Sequence, residues 1–110
     1  MTVAKYVNSL PDVIKVGPYN LRVLKVDKIG DEDKFFGMFY GAEETISIVL
    51  SQPSKTRAAD TLMHEILHAI WYTANPNGEE EDQVSCIATA LIQVFKDTPE
   101  LLTWFKRAND

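Results

Sequence analysis

A chain of 110 residues with 45% apolar and 25% charged side chains has room for one domain and one modest core. Its net charge of −5 comes without a basic stripe, which argues against nucleic acid as the main partner. The single cysteine, Cys86, excludes an internal disulfide and suits a reducing compartment. Met1 to Leu10 lacks the apolar run of a signal peptide, and Ile66 to Gly78, an uncharged stretch as long as any in the chain, is too short and too polar to span a bilayer. The expectation is a cytoplasmic protein with no membrane partner.

Val3, Tyr6, Val7 and Leu10 have helical spacing, so residues 2 to 10 are predicted as a short helix that Pro11 ends. Tyr19 to Val26 is rich in β-formers, follows Gly17-Pro18 and reads as a strand. Lys28 to Lys34 is a polar loop around Gly30. Phe35 to Tyr40 is the next strand, Gly41 to Glu44 a turn, and Thr45 to Leu50 alternates with Ile46, Ile48 and Leu50 on one face. Three consecutive strands predict a small antiparallel meander. After a break at Ser51 to Ser54, either serine is a cap for a helix from Arg57 to Tyr72. Its apolar stripe is Leu62, Met63, Ile66, Leu67 and Ile70. Asn75-Pro76-Asn77-Gly78 stops it. A second helix starts at Glu79 or Glu80, with Asn77 a candidate cap, and ends near Lys96. Its predicted inward face is Val84, Ile87, Ala88, Leu91, Val94 and Phe95. Thr98-Pro99-Glu100 opens a last short helix with Leu101, Leu102 and Phe105 inward and Trp104 at the edge of the core. The fold class is α+β: a three-stranded antiparallel sheet packed on a helical hairpin, plus a short C-terminal helix, as one domain over residues 1–110.

The first helix of that hairpin carries His64-Glu65-Ile66-Leu67-His68. This is H-E-x-x-H, and it uses the only two histidines in the chain. At i and i+4 two imidazoles lie on one helix face, one turn apart, so two ring nitrogens can meet one zinc ion. They point away from the apolar stripe, which sets them apart from core histidines. Glu65 sits about 100° round from His64, beside the metal rather than on it, where a carboxylate takes a proton from water at the zinc.

A catalytic zinc needs a third protein ligand. With no third histidine and Cys86 far into the next helix, the ligand is expected to be a carboxylate from the acidic run Glu79 to Asp82. On a wheel centred near Val84, Ala88 and Leu91, Glu80 and Glu81 fall about 50° either side of the inward face. Depth along the hairpin favours Glu81, with Glu80 the alternative. Ser85 is a candidate hydrogen-bond partner for that ligand. Thr45 to Leu50 aligns a peptide by strand addition if it is an exposed edge, and is already paired if it is central. Tyr72 is either a donor to a developing oxyanion or packing at the hairpin end. Asp60, beside Arg57, either orients an imidazole or is a solvated charge.

These pieces resemble the glutamate-ligand zincins (gluzincins). The sequence His64 to Ile70 (HEILHAI) is followed by a short turn and then by a Glu-led apolar helix. They are also similar to the small phage-encoded metallopeptidases. There a β-hairpin precedes an HEILHA-type helix, an EE-x-x-V segment follows, here Glu80 to Val84, and the ending is like Asp97 to Leu102. The resemblance covers roughly residues 20 to 105. It implies a minimal zincin-like fold, bound Zn²⁺ and peptidase-like chemistry on a peptide or protein substrate, within a host cytoplasm. Two function classes follow: a zinc peptidase with Glu65 as general base, and a zinc-stabilised interaction or assembly module without turnover.

Overall fold

The computed structural model describes residues 1–31 and 35–110. Glu32, Asp33 and Lys34, part of the predicted polar loop and its acidic run, lie outside the described residues. The elements are α1 (Val3–Asn8), β1 (Val13–Val16), β2 (Tyr19–Val26), β3 (Gly37–Tyr40), β4 (Thr45–Val49), α2 (Lys55–Ala74), α3 (Glu80–Asp97) and α4 (Glu100–Lys106), closed by a 3₁₀ turn over Arg107–Asn109.

The α+β class holds, but the sheet has four strands in the order β1-β2-β4-β3 and is mixed. This corrects the predicted three-stranded antiparallel meander. β1 and β2 form a hairpin about Gly17-Pro18, pairing Val16 with Tyr19, and Gly17 at φ +56° takes the left-handed conformation that its missing Cβ permits. β4 does not lie outside β3. It inserts between β2 and β3, parallel to β2 and antiparallel to β3. β4 is paired on both edges, its Thr45 and Ser47 are flanked by the side chains of Arg22, Leu24, Tyr40 and Glu43, and all five of its residues are buried. The predicted one-sided burial of this strand fails for that reason. β3 becomes the sheet edge.

α2 lies against the sheet with Ala58, Leu62, Ile66, Ala69 and Ile70 buried. Their i, i+4 spacing puts them on one stripe that meets Ile14, Leu21, Val23, Ile46 and Ile48. Each large aliphatic so buried contributes about 1.5–3 kcal/mol. The Ser54 side chain accepts from the Arg57 N–H at 3.1 Å, choosing it over Ser51 as the cap. Asn75 ends the helix in the left-handed region at φ +46°. Met63 is half-buried and Leu67 is 37% exposed, so Leu67 leaves the predicted stripe.

Two further expectations are corrected. In α3 only Val94 is buried; Ile87, Ala90, Leu91 and Phe95 pack partly on the core, while Val84 (53%) and Ala88 are exposed. The packed face is turned roughly 60° from the predicted centre near Val84, Ala88 and Leu91. Glu79, not Asn77, is the capping residue, without a side-chain bond. In α4, Leu101 and Trp104 are buried and Leu102 is 49% exposed. Trp104 belongs to the core because its indole stacks on Tyr6 at 4.3 Å. Tyr6 Oη donates to the Trp104 carbonyl at 2.7 Å, and Trp104 Nε1 donates to the Tyr6 carbonyl at 2.9 Å. Both polar groups are satisfied inside the core, which removes the reason to keep Trp104 at its edge. Among the described residues, no helix is long and apolar enough to cross a membrane.

Candidate metal centre

The H-E-x-x-H stretch occupies the middle of α2, on a frame fixed by the buried stripe above it. His64 and His68 are exposed, and their Nε2 atoms converge to 3.0 Å. Two nitrogens each about 2.0–2.1 Å from a tetrahedral zinc stand about 3.3 Å apart. The pair therefore fits two corners of such a site with a small rotation of either ring. Their rings cross edge to face with centroids 4.6 Å apart, as one helical turn dictates.

Glu65 is 6% exposed and opens into a cleft of about 320 Å³ that His64 and His68 share with Phe35, Gly37, Met38 and Phe39. Burial pushes its carboxyl above the usual glutamate range. The positive ends of His64 and His68 and the Phe39 backbone N–H pull in the other direction.

The other wall of that cleft is β3, and glycine is the reason it comes so close. Gly37, Phe39 and Gly41 alternate on the face turned to α2. A Cβ on Gly37 would stand 2.6 Å from Thr61 Cγ2 and 3.2 Å from Glu65 Cγ; one on Gly41 would stand 2.7 Å from the Tyr72 ring. Phe39 between them meets Tyr72 edge to face at 5.4 Å. The Tyr72 ring thus packs on β3 and not at the end of the helical hairpin, with the residue 60% exposed. The Val49 N–H donates to the Phe36 carbonyl at 2.9 Å, which sets the phase of the antiparallel pairing. Met38 and Tyr40 face β4 in the ladder, and the backbone groups of Gly37 and Phe39 face the open edge. Sequence reasoning left Thr45–Leu50 open between an exposed edge and a central strand, and it is central; the alternation Gly37-x-Phe39-x-Gly41 was the available signal for β3.

Among the described residues, no third His, Cys, Asp or Glu closes on the pair to make a group of three. Glu80 and Glu81 are exposed in the first turn of α3. Thr73 and Ala74, at the end of α2, share a cleft with Ser85, Cys86, Thr89 and Gln93. The end of α2 therefore faces the middle of α3, and the first turn of α3 overhangs it. Ser85 lines that cleft and not the histidine cleft. Measured from the packed face actually seen, Glu80 is about 10° off centre and Glu81 about 110°, so the wheel, which had set the two level, now favours Glu80 while the depth argument still favours Glu81. Asp60 and Arg57 are exposed, and Asp60 makes no hydrogen bond to either imidazole.

On its far side the histidine pair borders a second cleft, about 430 Å³, lined by His64, Leu67, His68 and Trp71. Sequence reasoning missed it because it placed Leu67 in the core and gave Trp71 no role. Comparison of the chain with family models, with curated proteins and with solved structures gives no match.

Proposed function

We propose that this protein is a zinc-dependent peptidase-like hydrolase with Glu65 as its general base. The observation that carries the reading is the 3.0 Å convergence of His64 Nε2 and His68 Nε2 on a face free of core duty. His64 and His68 hold the metal, and a carboxylate from Glu81 or Glu80 completes the set. The first residue of α3 that packs on the core is Ile87, so the acidic first turn, residues 80–83, is not tied to the core. Zinc in this position supplies Lewis acidity, lowering the pKa of a water and polarising a carbonyl. Glu65, adjacent in the same cleft, takes the water's proton and returns it to the leaving nitrogen. The open edge of β3 offers the Gly37 backbone groups and the Phe39 carbonyl to an extended peptide, the Phe39 N–H being engaged by Glu65, and strand addition there would lay the peptide beside the histidines. Cys86 is a free thiol, in keeping with a reducing, cytoplasmic setting.

A non-catalytic zinc-stabilised module uses the same donors but gives Glu65 no task. Metal analysis with peptide-cleavage assays separates the two. We expect about one zinc per chain, lost in His64→Ala and in His68→Ala. Glu65→Gln keeps the zinc and removes cleavage. A chain that takes up no zinc when it is offered in excess rules out both readings. Equal cleavage by wild type and Glu65→Gln rules out the proposed base.

A further inference from the structure

α3 is anchored far more lightly than α2. Of its 18 residues only Val94 is buried, and the rest of its core contact is the partly buried row Ile87, Ala90, Leu91 and Phe95. A separate apolar row lies outside that face. Val84 is 53% and Ile92 57% exposed, with exposed Ala88 midway between them. At four-residue spacing the three follow one ridge of the helix surface, and the ridge runs on to Glu80 in the first turn and Lys96 in the last. Valine and isoleucine are poorer helix formers than the long polar residues that suit water-facing positions, so local helix stability does not account for them. The acids and the lysine suit the dipole of their own helix, but the apolar pair between them does not answer to it. The ion pairs among the described residues are Lys15–Asp97 and Lys25–Asp12, which leaves Glu80, Glu81 and Lys96 without one.

We infer that this ridge is a self-association surface, on which α3 of a second copy of the chain packs antiparallel. The order Glu80, Val84, Ala88, Ile92, Lys96 is complementary to its own reverse. A two-fold axis beside Ala88 sets Val84 against the partner's Ile92 and Ala88 against the partner's Ala88. It also brings Lys96 to the acidic first turn of the other copy, at the partner's Glu80 and the partner's Glu81. A parallel arrangement would oppose like charges at both ends. Ridges of four-residue spacing interdigitate at a crossing of about 50°, and a methyl group at the crossing point lets the two axes approach toward the short end of the roughly 8–10 Å range. A convex helix face has no wall of its own, and in this arrangement the second copy supplies it. Eighteen residues make a helix about 27 Å long, so the contact falls below the roughly 800 Å² per partner of a standard interface, and the dimer is of the weak, reversible kind. The inference is independent of the metal reading, because one carboxylate of the first turn suffices for the lysine when the other is at the metal.

Sedimentation velocity of the full chain in EDTA at low salt tests this with zinc taking no part. We expect a passage from monomer to dimer between about 1 and 500 µM, with a dissociation constant on the order of 10–100 µM. Ala88→Arg should weaken it about tenfold or more, since it drives two guanidinium groups into the crossing point. Ala88 is exposed, and circular dichroism confirms that the variant folds before it is compared. The charge pattern gives a sharper readout. Lys96→Glu, and separately the chain carrying both Glu80→Lys and Glu81→Lys, should each stay monomeric, because like charges then meet at both ends of the ridge. Mixed in equal amounts, these two variants should associate at least as tightly as the wild type does with itself. A wild-type chain that is still monomeric at about 500 µM overturns the inference, since even a weak interface associates there. Dimerisation that Ala88→Arg leaves unchanged puts the contact on another face and also overturns it. So does a failure of the two charge variants to associate on mixing, which removes the antiparallel pairing. Association that appears only when zinc replaces EDTA makes the contact a metal bridge and not this ridge.

Discussion

The two sides of the candidate centre are built to different standards. Toward β3, Gly37 and Gly41 let a strand lie within van der Waals contact of α2, Phe39 and Tyr72 lock the far end, and Glu65 is buried between them. Toward α3, the acidic first turn is exposed, has no side-chain cap and overhangs the end of the helix it should face. Glu65 and the strand edge are thus held by the fold, whereas the acidic turn is not. On the proposed reading, zinc uptake would complete only the less fixed half of the site, which would couple metal binding to the packing of one helix.

The largest effect that bears on this contrast is zinc itself. Saturating zinc, at about a thousandfold over its dissociation constant, is expected to add roughly 4 kcal/mol to stability. In hydrogen exchange the new protection should concentrate at residues 79–86 and be small in β3. Protection gained in β3 instead would reverse the contrast. Next in size is the ligand test. One of Glu81→Gln and Glu80→Gln should weaken zinc by about a hundredfold or more and the other by little, since removing a true ligand costs at least what the strongest supporting contacts cost. If both are silent, α3 does not supply the ligand.

On the rigid side, Gly37→Ala pushes a methyl to within 2.6 Å of Thr61 Cγ2, a branched side chain on the helix surface. Overpacking of this kind costs about 1–3 kcal/mol. A chemical melt of the metal-free protein reads the loss, and an unchanged midpoint would mean that β3 is not held against α2. The smallest effect has the opposite sign. The Glu65 carboxyl sits above the usual glutamate range in the fold, so the unfolded chain gives up this proton first as pH rises. Its contribution to stability is therefore full below the unfolded value of about 4.3 and falls as pH climbs through the raised folded value. At neutral pH the buried carboxylate is a net cost. Glu65→Gln should raise the melting temperature of the metal-free protein at pH 7. It should also flatten the decline of stability above pH 4. A variant no more stable than wild type at pH 7 would show that Glu65 is solvated as well as any surface residue.

The H-E-x-x-H helix was legible because its three signals agree: spacing, capping at Ser54 and an apolar stripe opposed to the histidines. The strand β2 was legible in its full extent, Tyr19 to Val26, since β-branched and aromatic residues between turn formers leave little alternative. β1 was overlooked although Val13-Ile14-Lys15-Val16 alternates cleanly, because four residues after a proline carry little weight alone. The place of β4 is a long-range fact. Nothing local distinguishes a strand added outside β3 from one inserted beside β2, and Thr45 and Ser47 disguise a central strand as a half-exposed one. The same limit applies to α3, where periodicity gave an apolar face but not which part of it meets the core. At the site, the residues that share one helix were found from spacing, and the partner from another element was not placed.

The Tyr6–Trp104 clasp has a consequence for the order of assembly. Its two residues are 98 positions apart, so the first helix has no aromatic partner until almost the whole chain is present. Local pieces such as the β1–β2 hairpin and α2 close over short loops, while this junction must close a loop of nearly the whole chain at a correspondingly high cost in chain entropy. Burial of the Trp104 indole therefore marks the end of folding. In stopped-flow refolding, the near-ultraviolet signal of the stacked Tyr6 and Trp104 rings should appear after the far-ultraviolet signal of the helices, and a coincident rise of the two would place the clasp in the folding nucleus.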